Sequence, residues 1–158
     1  MKTKTRYISS LFLLIVFNVV GISPINAQDA VALQPDRITI MQYIMAERPV
    51  LVGLLTTAGL VPVLSGDKPY TLLAPPEQEL VSLKKKSPDK IKEVLSGLIL
   101  KGSYLENDLK DGASVETLNG NKLKICRKNG TLVNGVLITD PNHKVRNGVV
   151  HQLQGMLK

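Results

Sequence analysis

Apolar residues recur at helical spacing through the first part of the chain and at every second position after residue 113. Ile38, Met41 and Met45, with Ile40 and Ile44 beside them, make a broad apolar helical face. Asp36 is its expected N-cap, and it ends near Arg48. Pro49 restarts the chain, and Leu51, Leu54, Leu55 and Ala58 fall at i, i+3, i+4 and i+7, with Gly59 placed to end this second helix. After the apolar piece Leu60 to Leu64 and the turn Ser65-Gly66-Asp67, Tyr70 to Ala74 reads as a buried strand. Pro75-Pro76 removes two backbone donors and stops the ladder. Pro76 then opens a short helix, with Glu77 and Glu79 near its positive end and Lys84, Lys85 and Lys86 at its close. Ser87-Pro88-Asp89 starts another helix, carried by Ile91, Val94, Leu95 and Leu98 and broken at Lys101-Gly102. Tyr104-Leu105 begins a strand or an extended bridge.

The period then changes to two. Ala113, Val115 and Thr117 alternate with Ser114 and Glu116, and Leu123 and Ile125 continue the inner face. Four Asn-Gly pairs, at 119–120, 129–130, 134–135 and 147–148, mark tight turns whose central positions need positive φ. Val136 to Thr139 and Val149 to Leu153 are strands, separated by a loop opening at Asp140-Pro141-Asn142. Together these signals predict an antiparallel meander. Strict alternation would leave Cys126 outside and Arg127 inside, so a bulge between Ile125 and Arg127 is expected, giving a buried thiol.

The N-terminus stands apart from this pattern. Lys2, Lys4 and Arg6 precede the apolar run Leu11 to Val20, and Ile25-Asn26-Ala27 ends a breaker-rich segment. This is the layout of a secretory signal peptide cut after Ala27. As a membrane anchor, the run falls short of the ~20 residues a spanning helix needs. Residues 28–35 are expected to form a flexible lead, and 36–158 a single domain. The product is expected to be exported, periplasmic or secreted to the cell surface, with no stable membrane span. Removing residues 1–27, with three of the 20 basic and none of the 13 acidic residues, lowers the net charge from +7 to +4. Both Phe residues leave as well, and the sequence has no Trp. Single-stranded nucleic acids are gripped largely by aromatic stacking, so a nucleic-acid partner is not expected. With Cys126 alone, no internal disulfide forms, and the aliphatic core carries the stability.

Two stretches, Tyr70-Thr-Leu-Leu-Ala-Pro and Asn147-Gly-Val-Val-His-Gln-Leu-Gln-Gly-Met-Leu157, resemble the two sequence blocks of the fasciclin-like domain, in that family's order and spacing. The resemblance extends to Leu105-Glu-Asn-Asp-Leu109, to Gly112-Ala113-Ser114-Val115 and to Ala58-Gly59-Leu60-Val61, and so covers about residues 36–158. The chain looks like a single-domain, exported bacterial type of the family. The resemblance implies an α+β fold, two small β-sheets wedged together with several helices along one side, and a surface or matrix module that binds partners. Its motif positions here are Thr71, Ala74, Pro75, Asn147, Gly148 and His151. The sequence departs from the family where a Thr before an acid is usual: Pro76 and Glu77 stand there. The Tyr-His pair tied to integrin-type adhesion in animal members falls on Gly97-Leu98, so that activity does not carry over.

Candidate chemistry is sparse. His151 shares a strand face with Val149 and Leu153 and reads as a core histidine with a polar partner, and only His143 could join it as a ligand. With two His, one Cys and no C-x-x-C or H-x-x-x-H spacing, neither a metal nor another cofactor is expected. Neither a Gly-x-Ser-x-Gly elbow nor a phosphate-cradling loop occurs, and catalysis is not expected. Lys84, Lys85 and Lys86, with Lys90 and Lys92, form the densest basic patch; Lys122, Lys124, Arg127 and Lys128 form a second. Each is either a solvated face or a site for an anionic partner. The expected function is therefore a non-catalytic binding or adhesion module contacting an envelope or extracellular protein or an anionic glycan. The alternative is a carrier of a small apolar ligand, as some fasciclin-like proteins resemble carotenoid binders, with a cleft lined by Met41, Met45 and Leu55. An enzyme is third.

Overall fold

A computed structural model describes residues 36–158; the predicted signal peptide and lead lie outside them. Helices α1 (Ile40–Glu47), α2 (Pro49–Thr57) and α3 (Val61–Ser65) lead into strand β1 (Tyr70–Ala74). Helix α4 (Glu77–Leu80) follows directly and tightens into a 3₁₀ segment, Val81–Lys85. Next come α5 (Pro88–Ser96), β2 (Ile99–Lys101), a 3₁₀ turn at Glu106–Asp108 and β3 (Ser114–Glu116). The last strands are β4 (Lys122–Lys128), β5 (Gly130–Val133), β6 (Val136–Val145) and β7 (Gly148–Leu153).

The first helix starts later than Asp36 suggests. Thr39 is the N-cap: its Oγ1 accepts from Gln42 N, and Gln42 Oε1 accepts from Thr39 N. That reciprocal pair satisfies two donors that one upstream acid could not. Starting at Ile40 turns Ile40, Met41 and Ile44 inward and leaves Met45 62% exposed. Ser87 caps α5 as its sequence suggests, its side chain accepting from Lys90 N. This helix ends at Ser96, five residues before the expected break. Leu98-Ile99-Leu100, read as more helix, enters a strand with both faces buried.

The strands lie in the order β2-β1-β7-β6-β5-β4-β3. From β3 to β7 they form the expected antiparallel meander. β1 inserts beside β7 in parallel, Tyr70 facing Gly148 and Ala74 facing Gln152, and pairs with β2 on its other side. The ten-residue β6 joins the two halves, pairing with β5 through Val136–Leu137 and with β7 from Ile138 to Val145. The outer strands meet as well: Leu100 bridges Thr117, Leu118 N donates to Ile99 O over 2.7 Å, and Lys101 pairs with Glu116.

Two cores follow from this arrangement. One face of β1 and β7, with Leu72 and Val150, packs with Ile40, Ile44, Leu55 and Leu95 of the helices. The other face, with Leu73 and Leu153, packs with Leu123, Ile125, Val133 and Ile138 of the meander. A strand buried on both sides reads as an unbroken apolar run, which is why Tyr70–Ala74 does not alternate.

Three turn expectations change. Among the Asn-Gly pairs only Asn134–Gly135 has positive φ at both positions, 47° and 82°. Asp140-Pro141-Asn142 is no loop but a bulge inside β6, where the register shifts and Asn142 takes φ 68°. A bulge tolerates Pro141 because no ladder donor is needed there. In β4 no bulge forms. Cys126 pairs in register with Leu132 and is half-buried, while Arg127, at the strand's outer end, is exposed without any irregularity.

Candidate functional site

The parallel pairing of β1 and β7 brings both motif blocks together, and it does so in the interior. Thr71 is fully buried; its Oγ1 donates to Gly102 O and accepts from Tyr104 N, both over 2.8 Å, tying β1 to the extended segment after β2. Asn147 is buried in the turn before β7. Its Oδ1 accepts from Ile40 N (2.7 Å), and its Nδ2 donates to Leu64 O and Gly66 O (2.9 and 2.7 Å). One side chain thus fixes the start of α1 and the end of α3. Gly148 lies against β1 at φ 151°, and a Cβ there would sit 1.8 Å from Tyr70 O. Ala74 and Pro75 are buried at the end of β1.

Around Pro75 the chain exchanges caps. Pro75 O accepts from Arg48 Nη1 (3.1 Å), and Arg48 Nη2 donates to Gln152 Oε1 (2.6 Å). Glu77 Oε1 accepts from Val50 N and Leu51 N (3.0 and 3.1 Å), the open donors at the start of α2. Arg48 gives that helix no side-chain cap, so the acid of the following junction supplies it. The sequence placed Glu77 only at its own helix. The signal for the missing partner was the absence of Ser, Thr, Asp or Asn ahead of Pro49.

His151 is wholly buried. Its Nε2 lies 2.9 Å from Tyr104 O, and its Nδ1 accepts from Asn142 N (3.1 Å). A carbonyl can only accept, so Nε2 carries the proton and the ring is neutral. Burial holds its pKa below the usual histidine value, outweighing the Tyr104 carbonyl and Glu106, which favour the charged form. His143, read from sequence as a loop residue, lies in β6. Its Nδ1 is 2.9 Å from Tyr43 Oη, and its Nε2 is 2.7 Å from Asp140 Oδ2, out of line for a ring N–H bond. Burial, then the Glu47 and Asp140 carboxylates, raise the Tyr43 pKa. The polar partners of the two rings are different groups. Among the described residues no group of three or more His, Cys, Asp or Glu could hold a metal ion.

Lys84, Lys85 and Lys86 are exposed at the end of the 3₁₀ segment. Lys84 and Lys86, with Leu54 and Thr57 of α2 and Ile91 of α5, line a shallow groove of about 270 Å³. The ion pairs among the described residues, those of Lys90, Lys101, His143 and Arg146, leave these three lysines without a carboxylate partner. The cleft expected of a carrier does not form from the residues singled out for it. Met41 and Leu55 are spent in the helical core, and Met45 faces outward.

Residues 47–158 match the profile of the fasciclin domain. The chain is 29% identical over 112 residues to the pig (Sus scrofa) transforming growth factor-beta-induced protein ig-h3, covering 65% of this chain and 16% of that protein. It therefore spans about a sixth of the relative's length. A solved FAS1 domain pair from the insect cell adhesion molecule Fasciclin I superposes with a TM-score of 0.62 at 12% identity, over 77% of this chain and 51% of that one. No helix among the described residues is long and apolar enough to cross a membrane. Fasciclin domains are generally non-catalytic modules of adhesion and protein binding. A profile matched across most of the chain, and an α+β fold shared with a solved member, place this protein in the fasciclin domain family.

Proposed function

We propose that this domain is an exported, non-catalytic binding or adhesion module of the periplasm or cell surface. Its contact with an envelope or extracellular protein or an anionic glycan runs through Lys84, Lys85 and Lys86. The supporting observation is the groove between α2 and α5. Lys84 and Lys86 line it without a carboxylate partner among the described residues, Lys85 is exposed between them, and the buried Leu54 and Ile91 close its apolar side. The motif residues do not compete for this role, since they are consumed in holding β1, β7 and α1 together.

Exposed charge contacts are screened within ~8–10 Å at ordinary salt, so capture should fall steeply as salt rises. The test is a pull-down from envelope extract at low and high salt, with a Lys84→Glu/Lys85→Glu/Lys86→Glu variant alongside. Partner recovery that is lost at high salt and lost in the variant is the expected result. Equal, salt-insensitive recovery by both proteins would defeat the proposal.

A further inference from the structure

The four Asn-Gly pairs are equal in sequence and unequal in structure. In such a pair the glycine's backbone nitrogen, unshielded by a side chain, can attack the asparagine Cγ. The Gly N–H proton is given up, ammonia leaves, and a five-membered imide forms. Water then opens either imide carbonyl, leaving aspartate or isoaspartate and one new negative charge. The attack requires the asparagine side chain to turn back onto its own backbone, so an amide anchored elsewhere must first be released.

Three of the four amides are anchored. Asn119 Nδ2 donates to Glu93 O, while its Oδ1 accepts from Thr117 Oγ1 and Asn121 N. Asn134 Oδ1 accepts from Lys124 N over 2.7 Å. Asn147 holds three backbone groups and is buried. Asn129 differs: it is exposed in the one-residue link between β4 and β5, where Lys128 pairs directly with Gly130. Its amide has no hydrogen-bond partner among the described residues. Gly130 sits at φ 117°, and a Cβ there would meet Leu137 Cδ1 at 2.7 Å, so the glycine that makes Asn129 reactive is also one the fold requires.

The structure assigns Asn129 as a site of spontaneous, enzyme-free deamidation. The new charge falls beside Arg127 and Lys128, on a strand that also carries Lys122 and Lys124. The second basic patch thereby loses one unit of net positive charge with the age of the molecule. This inference is independent of the lysine groove and of any partner.

The test is ageing of the intact folded protein at mildly alkaline pH in isotopically heavy water, followed by peptide mapping of all four sites. A parallel sample is kept unfolded in urea. In the folded protein Asn129 should convert about tenfold or more faster than the other three, which react only from locally opened states. In urea the four rates should draw together. The aged protein should elute early from a cation exchanger, alongside an Asn129→Asp variant, and an Asn129→Gln variant should not acquire that early peak. Equal conversion of the four sites in the folded protein, or an unchanged ranking in urea, would overturn the assignment.

Discussion

At the level of single residues, the interior positions are the most demanding. Gly148 has no room for any side chain, because Tyr70 O occupies the place of its Cβ. Gly148→Ala must therefore push β1 off β7, and a loss of about 4 kcal/mol or more is expected, among the largest a point change produces. Urea titration of the two proteins measures it. His151 sets a pH dependence. Its folded-state pKa lies below the ordinary 6.5, so unfolded chains take up a proton that the folded ring refuses. Its contribution is complete above that value and is lost as pH falls below it. Thermal midpoints across pH 5 to 8 should show the decline, and His151→Gln should flatten it. Strand alternation alone was enough to turn His151 inward. Alternation could not reveal Asn147, whose turn position suggested only a tight bend while its amide holds Ile40, Leu64 and Gly66.

Among the elements, spacing located α2 and α5 because their apolar faces repeat locally, and it located β1 because Pro75-Pro76 ends it. Boundaries failed where a neighbour distant in sequence decided them. Leu98-Ile99-Leu100 fits a helix until β1 is present to pair with it. Asp140-Pro141-Asn142 fits a loop until Gln152 and Val150 hold the two sides of the bulge. Helix α2 has the same dependence at its start, where the cap comes from Glu77, 27 residues beyond Val50. Glu77→Ala should cost about 1–2 kcal/mol, the usual worth of a cap. Glu77→Gln, which retains an accepting oxygen, should lose less. Denaturant midpoints should shift with unchanged slope, as for a change in stability without a change in compactness.

Across the whole molecule, the contact least legible in sequence is the parallel pair of β1 and β7. Tyr70 and Gly148 meet across most of the domain's length, and neither segment's own pattern names its partner. The motif blocks pointed to that pair only through a family resemblance; their individual apolar runs would suit many sheets. The same pair has a mechanical consequence. The chain enters near the start of β7, where Arg146 N donates to Ile38 O and Asn147 grips Ile40, and it leaves from the far end of β7, after Leu153. Tension between the two ends would therefore act along β7, which lies between β1 and β6 with a ladder on each side. The bonds of both ladders must slide together and cannot open one after another, the loading that gives a β-protein its greatest resistance to stretching. Pulled from residue 36 and residue 158 in a single-molecule experiment, the domain should yield in one high-force event. Pulled across β4 and β5, which would part like a zipper from the end opposite Asn129, where Ile125 pairs with Val133, it should yield at markedly lower force.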